Sequence, residues 1–431
     1  LSGGGDANTF AMARASCPYP RLLLYALIIG LLGGCVATAF YLGLKLGFAL
    51  LWGTEPNQVS IGTWAHLYPY IPLVTAFGGL LVGLSVKFFG AKGEIAAAIA
   101  ELHHEGRFSY RFLPGMALAS GLSLLFGSSA GPESPMIDIN GGLGTWLAAR
   151  LHLSPDSTRI LTLCGMAAGM GVFFESPLGA TLFVLELPHR RSLEFYEAIL
   201  PALISAVAGF TLFRVITGTT IGGIYRFPTY DSLRPEDIGF AVLIGIIGAA
   251  VGTLFVFLDQ QIQRWLTPYR QYPLLLIVAV GFLIGLIALI HPITLFYGER
   301  QIEQVIQVVN RYSIGILLRV AFFKLLALSL CLRGGFRGGV VFPLFFVGAC
   351  VGMAVHQALP NTPLSVALAG MMAAVTVVVT KTPLGLAIIL TVISHTTMLP
   401  LITIATLTSY LLTLPIAWIP SQRSRRDPPD P

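Results

Sequence analysis

ESPLGATLFVLELP at residues 175–188 and KTPLGLAIILTVIS at residues 381–394 read as one segment written twice. Each sets a Pro-Leu-Gly triplet two residues after a charged one, Glu175 or Lys381, and continues into a short apolar run. A Gly-Met-Ala-rich helix precedes each copy, GMAAGMGVFF from Gly165 and GMMAAVTVVV from Gly370. A second pair lies upstream in the same order, GPESPMIDINGGLG from Gly131 and GGVVFPLFFVGACVG from Gly338. The chain therefore divides into two structural halves. The expected division is an N-terminal cytoplasmic segment at 1–19, a first repeat at 20–217, a connection at 218–237 (GTTIGGIYRFPTYDSLRPED), a second repeat at 238–420 and a cytoplasmic tail at 421–431.

The medium follows from composition. Of 431 residues, 55% are hydrophobic and 11% charged, against about 25% charged in soluble domains. Mean hydropathy is +0.79. So little polar surface cannot cover a water-soluble body, and a polytopic membrane protein is expected. Apolar runs at 22–51, 71–86, 240–258, 274–290 and 314–332 approach or exceed the ~20 residues a crossing needs. Others are too short, as at 116–126, or long and broken by Gly or Pro, as at 160–187 and 384–414. Tilted and broken helices follow rather than a regular bundle. The net charge of +6 is read through the positive-inside rule, not as a nucleic-acid footprint. Arg14 and Arg21 precede the first span and Arg423, Arg425 and Arg426 follow the last, so both termini are expected on the cytoplasmic side of the plasma (inner) membrane. Lys87, Lys92 and the 189–191 cluster are weaker signals of the same kind.

Repeats in membrane transporters are often inverted about an axis in the membrane plane, with the site where broken helices aim their N-termini at an anion. Pro suits a first helical turn, where its missing N–H would be unpaired anyway. AKGEI at 91–95, GPESP at 131–135 and GGVVFP at 338–343 are thus candidate helix starts facing one centre. Their exposed N–H groups and dipoles would attract an anion. Each alone is equally a packing glycine or a proline kink; recurrence in both halves favours the site. The five cysteines, Cys17, Cys35, Cys164, Cys331 and Cys350, show no metal-ligand spacing and read as packing residues. No HExxH, GxSxG or paired-Asp signature supports an enzyme. No cofactor or metal is expected. The stretch His103–His104–Glu105 lacks metal spacing and reads as a solvated loop.

From about Pro20 to Trp418 the chain resembles the CLC family of chloride channels and chloride/proton antiporters. The family's GSGIP, GREGP and GxFxP elements are similar to AKGEI at 91–95, GPESP at 131–135 and GVVFP at 339–343. Its AxNAPLAGxLFxxEE segment resembles VFFESPLGATLFVLEL at 172–187, and its APLTGxxLxxE segment resembles TPLGLAIILTVIS at 382–394. The resemblance is to a divergent prokaryotic-type member without C-terminal regulatory domains. It implies an all-α membrane fold of two inverted repeats, each of roughly eight or nine helices. It also implies a homodimer with one pathway per subunit. Helices at 198–213 and 399–412 correspond to the family's dimer face, and Ala202, Ser205, Ala206 and Gly209 offer a small-residue surface for it.

By the resemblance, Glu133 stands at the external gating glutamate, with Pro132 in place of the preceding Arg. It would occupy an anion site, then protonate and swing away; otherwise it is an acid stabilising its own helix N-terminus. Lys92 falls on the ion-contacting serine and, with Gly93, Gly339, Val340, Val341 and Phe342, makes the implied anion-binding set. Lys92 is otherwise a lysine snorkelling to the interface. The internal proton-relay position carries Leu187, after Glu186, which reads equally as a cytoplasmic acid paired with Arg190 or Arg191. Glu175 and Lys381 read as residues of polar connections. The nearest match to the family's central tyrosine is Trp418. The implied function is transmembrane anion transport, chloride first, with pH dependence or proton coupling. A cation- or proton-handling transporter built on a Lys92–Glu133 pair, and a fluoride exporter, are the alternatives. The expected partners are a small anion such as chloride, protons, the lipid bilayer and a second copy of the chain, and not nucleic acid.

Overall fold

The computed structural model describes residues 17–53, 68–90, 99–103, 106–189, 196–219, 225–230, 233–307, 312–394 and 397–422. Among them the first half supplies α1 (Tyr19–Trp52), α2 (Ile71–Phe89), a helical stretch at 99–103, α3 (Leu113–Leu125), α4 (Glu133–Arg150), α5 (Pro155–Phe173), α6 (Pro177–Glu186) and α7 (Ile199–Thr217). The second half supplies α8 (Pro235–Leu266), α9 (Pro273–Ile290), α10 (Glu299–Gln307), α11 (Ile314–Gly334), α12 (Val341–Ala358), α13 (Leu364–Thr380), α14 (Pro383–Ile393) and α15 (Leu399–Leu412). Seven of the helical spans described are long and apolar enough to cross a membrane, while α3, α6, α13, α14 and α15 are shorter apolar helices. The architecture is an all-α polytopic membrane fold with broken helices.

The breaks have local causes. The apolar run at 160–187 splits because Glu175 takes a left-handed φ of 50° and Pro177 opens α6. The run at 384–414 is two helices, α14 and α15, with Pro400 in the first turn of the second. Lys381 repeats the Glu175 elbow, with φ 58° before Pro383. A left-handed residue other than Gly costs about 1–2 kcal/mol, and each elbow is held by its own side chain. Glu175 Oε2 accepts from Arg214 on α7 at 2.5 Å. Lys381 Nζ donates to the Thr413 carbonyl just past α15 at 2.5 Å. Both side chains tie the elbow to the end of the last helix of their half, Glu175 half-buried and Lys381 buried at 2% exposure. Neither is a loosely solvated connection.

The inverted repeat shows in reciprocal contacts. A Cβ on Gly79 would meet the Ile277 carbonyl oxygen at 2.5 Å, and one on Gly281 would meet the Thr75 carbonyl oxygen at 2.4 Å. Gly83 faces Leu274 where Gly285 faces Pro72. This exchange holds only if α2 and α9 cross antiparallel about a two-fold axis. The quoted segments do the same. Gly179 lies against Ile389 and Gly385 against Phe183, and Phe183 and Ile389 are the ninth residues of their respective copies. Contacts inside each half are duplicated too: Gly30 meets Ser205 and Ala208 as Gly245 meets Ala405 and Thr408, and Gly33 meets Ala168 as Gly248 meets Ala374. Small residues bring membrane helices to backbone distance where lipid supplies no hydrophobic drive between them.

One expectation is corrected. Ala202, Ser205, Ala206 and Gly209 do not form an outward surface. They are buried on the inner side of α7, where Ser205 Oγ donates to the Cys164 carbonyl at 2.8 Å and Gly209 abuts Gly34. The outward face of α7 carries Leu200, Val207 and Val215 instead. Small residues at helical spacing mark close approach without saying to which neighbour.

The reciprocal glycines make a stability prediction. Gly79→Ala and Gly281→Ala each press a methyl onto a carbonyl of the facing helix and are expected to cost about 1–3 kcal/mol. Both should lower the melting temperature of the detergent-purified protein by similar amounts. Melting of either variant at the wild-type temperature would show that α2 and α9 do not meet there.

Candidate functional site

Two helices begin at the centre of the fold. GPESP opens α4 at Glu133, and GGVVFP opens α12 at Val341. The residues just before them pair as an isolated antiparallel bridge: Gly131 N–H donates to the Gly339 carbonyl at 2.8 Å, and Gly339 N–H donates back at 2.6 Å. Both positions exclude a side chain, since a Cβ on either would overlap the Glu133 carboxylate. That carboxylate is 1% exposed. It crosses the bridge to the other helix, and Oε1 accepts from the Phe342 amide at 2.5 Å. The amides of Val341 and of Glu133 itself also act on the carboxylate, and Oε2 has no hydrogen-bond partner among the described residues. One carboxylate thus sits where the positive ends of two helix dipoles converge, an arrangement made for negative charge. Phe342 walls this seat, with ring centroids 5.7 Å from Phe174 and 5.9 Å from both Tyr297 and Phe345.

Of the implied anion-binding set, Gly339, Val340, Val341 and Phe342 are brought to Glu133, and all are buried. Lys92 and Gly93, with the whole AKGEI element, lie outside the described residues. So do Arg190, Arg191, His104 and Glu105. Glu186 does not end in a cytoplasmic loop. It is 5% exposed and reaches across to α14, taking the amides of Leu384 at 3.1 Å and Gly385 at 2.8 Å. It caps a helix start in the opposite half. His103 is not in open solvent either, since its Nε2 lies 2.7 Å from the Pro188 carbonyl. Trp418 is engaged elsewhere. Its indole N–H donates to Asp259 at 2.7 Å, beside the Arg333–Asp259 ion pair.

Sequence reasoning missed three groups. Gln422 is buried, and its Nε2 donates to the Leu187 carbonyl at 2.8 Å and to the Thr380 carbonyl at 2.7 Å. Asp259 and Arg333, far apart in sequence, form a pair just past the ends of the apolar runs at 240–258 and 314–332. Lys324 on α11 is fully buried; its ammonium donates to the carbonyls of Thr294, at 3.0 Å, and Phe296, and lies over the Phe346 ring. It thereby fixes the turn that carries Tyr297 to Phe342. The lone lysine of AFFKLLAL was a visible signal, because an ionisable group at membrane depth is functional by default.

Comparison with known proteins agrees with this geometry. Residues 78–414 match the family model described as voltage gated chloride channel. The chain is 28% identical over 366 residues to the protein named "Putative ion-transport protein YfeO" of Salmonella newport strain SL254, covering 84% of this chain and 86% of the relative. The fold superposes on the crystal structure of a CLC-type fluoride/proton antiporter with TM-score 0.79 and 23% identity, over 94% of this chain and 98% of that one. It superposes equally, at 0.79 with 20% identity, on a slow cyanobacterial Cl-/H+ antiporter, over 93% and 95%. Fold and sequence together define a polytopic ion-transport protein. The chain belongs to the voltage gated chloride channel, or CLC, family.

The Glu186 cap is testable. Glu186→Ala leaves two amides at the start of α14 without acceptors and is expected to cost about 1–3 kcal/mol. Glu186→Gln keeps one oxygen and should lose less. Equal melting temperatures for wild type and Glu186→Ala would mean that the carboxylate caps nothing.

Proposed function

We propose that this protein carries small anions, chloride foremost, through each protomer, and that Glu133 gates the pathway. The observation that carries the proposal is the Glu133 carboxylate seated on the Phe342 amide at the start of α12. A carboxylate held by helix-start amides stands in for a free anion of like charge. While it is ionised, it fills the seat. Once protonated, it no longer competes for those N–H groups, and a chloride can take them. One group that alternates between holding a proton and occupying an anion site couples the two ions. A second helix-start contribution is assigned to Lys92 and Gly93. Glu186 and Leu187 are assigned to the inner end of the proton route, with the Gln422 amide beside Leu187. Both proteins used in the fold comparison are described as proton antiporters, one for fluoride and one for chloride, which supports coupling.

The proposed setting is the plasma membrane with both termini cytoplasmic, repeats at 20–217 and 238–420, and a homodimer. The outward apolar faces of α7 and α15, carrying Leu200, Val207, Leu407 and Leu411, suit that contact better than the inward small-residue stripe.

Reconstituted protein tests the gate. Parallel chloride, fluoride and proton fluxes should fall or rise with pH in wild type. Glu133→Gln fixes the neutral form, so its anion flux is expected to lose the pH dependence, whether the total rises or falls. A Glu133→Gln protein with the wild-type pH profile would exclude the role.

Lys92 gives a separate test. An ammonium offers an anion full charge and three donors where a serine offers one hydroxyl. That attraction is far larger in a low-dielectric pathway than in water. Tight binding slows exit, because conduction needs binding weak enough for release. Lys92→Ser should therefore weaken anion affinity and speed turnover. Unchanged affinity, selectivity and pH dependence would make Lys92 a snorkelling residue.

A further inference from the structure

A cavity of about 460 Å³ opens at one end of α2, α9 and α11, away from Glu133. Among the described residues its wall carries four cations and no acid: Lys87 in the last turn of α2, Arg270 in the turn before α9, Arg333 in the last turn of α11, and Arg337 beyond it. The remaining wall is apolar, from Leu274 and Ile277 among others. Gly83 and Gly334 pack closely against Leu274 and Val280 at its edge, and Gly335 turns the chain beside it with a φ of 100°. Two acids, Asp259 buried and Asp138 half-buried, answer part of the charge. Asp259 pairs with Arg333, and Asp138 lies within electrostatic reach of Arg337. Among the described residues Lys87 and Arg270 remain as surplus. Basic residues at helix C-termini often do no more than complement the dipole. That account explains the positions of Lys87 and Arg333 but not why four cations from separate segments line one apolar hollow.

The depth of the cavity is set by its neighbours. Trp265, Tyr269 and Tyr272, beside Arg270, are 70%, 60% and 59% exposed, and Phe88 and Phe89, beside Lys87, are exposed too. Exposed Trp and Tyr mark the membrane–water interface. The cavity therefore lies at headgroup level, at the end of the molecule where the positive-inside rule places the cytoplasm. Its volume falls within the roughly 300–1,000 Å³ of small-ligand sites.

We infer that this cavity holds the headgroup of an anionic phospholipid from the cytoplasmic leaflet, its phosphate among Lys87, Arg270 and Arg337 and the start of its acyl chains along Leu274 and Ile277. Basic pockets between transmembrane helices on the cytoplasmic side suit such headgroups. A free inorganic anion would use the charges but not the apolar wall. A zwitterionic lipid would use the wall but not the surplus charge. The bound lipid would tie α2 to α9 and α11, the contact that joins the two halves on this side.

The test uses the full chain purified in a neutral detergent, with melting temperature read against added phosphatidylglycerol, phosphatidylcholine or inorganic phosphate. Phosphatidylglycerol should raise the melting temperature saturably, and the other two should not. Each basic residue near an anionic lipid contributes roughly fivefold in affinity. Lys87→Gln should therefore shift the phosphatidylglycerol midpoint roughly fivefold, and the Lys87→Gln/Arg270→Gln double variant roughly 25-fold. The melting temperature without lipid shows whether each variant is folded, and the single variant carries the test if the double one is not. Equal stabilisation by phosphatidylcholine, an equal shift with phosphate alone, or unchanged midpoints in the folded variants would each overturn the inference.

Discussion

A helix that starts inside a membrane leaves its first N–H groups without partners, and hydrocarbon supplies none. This structure starts α4 and α12 at its centre, back to back, and everything near the site answers that constraint. The Gly131–Gly339 bridge satisfies one amide and one carbonyl from each chain segment. It can do so because both residues lack a side chain. The groups still open converge on one place, and Glu133 fills it. α6 and α14 meet the same constraint differently: each opens with a proline, which has no N–H to satisfy, and α14 takes the Glu186 carboxylate from the facing helix as its cap. The Glu133 seat and the Glu186 cap are thus two solutions to one problem, distinguished by whether the carboxylate's oxygens are both fully engaged.

The part of this that could be read in the sequence was the part that repeats. Pro-Leu-Gly at 177–179 and 383–385 fixed where helices restart, and the inverted pairing followed because two copies of a sided segment bury their glycines together only by crossing antiparallel. The helix starts at Glu133 and Val341 were legible for the same reason. What escaped was long-range and unpatterned. Nothing local joins Asp259 to Arg333 and Trp418, or sends Glu186 to the amides of Leu384 and Gly385. Acids near the end of an apolar run look alike whether they meet water or a helix start in the other half. The stripe at Ala202, Ser205, Ala206 and Gly209 failed in the complementary way. Its spacing announced a close contact, but α1 and α5, not a second copy, supply it.

Two-fold pseudo-symmetry alone would make the two membrane-facing sides of the fold equivalent, and a few side chains break that equivalence. The breaks occur at matched positions. Glu133 opens α4, and Val341 opens α12 at the corresponding place after the paired glycines. Two carboxylates there would repel one another across the bridge; one is attracted to both helix starts. Glu186 caps α14, while Val392, the twelfth residue of the second copy as Glu186 is of the first, is an exposed apolar side chain. At the elbows the sign reverses outright, Glu175 bonding an arginine and Lys381 a carbonyl. Each substitution keeps the backbone path and changes only the charge it carries. The scaffold is therefore inherited by duplication, with glycines and prolines in register, and its polarity is written in a few acids and bases laid on one copy and withheld from the other.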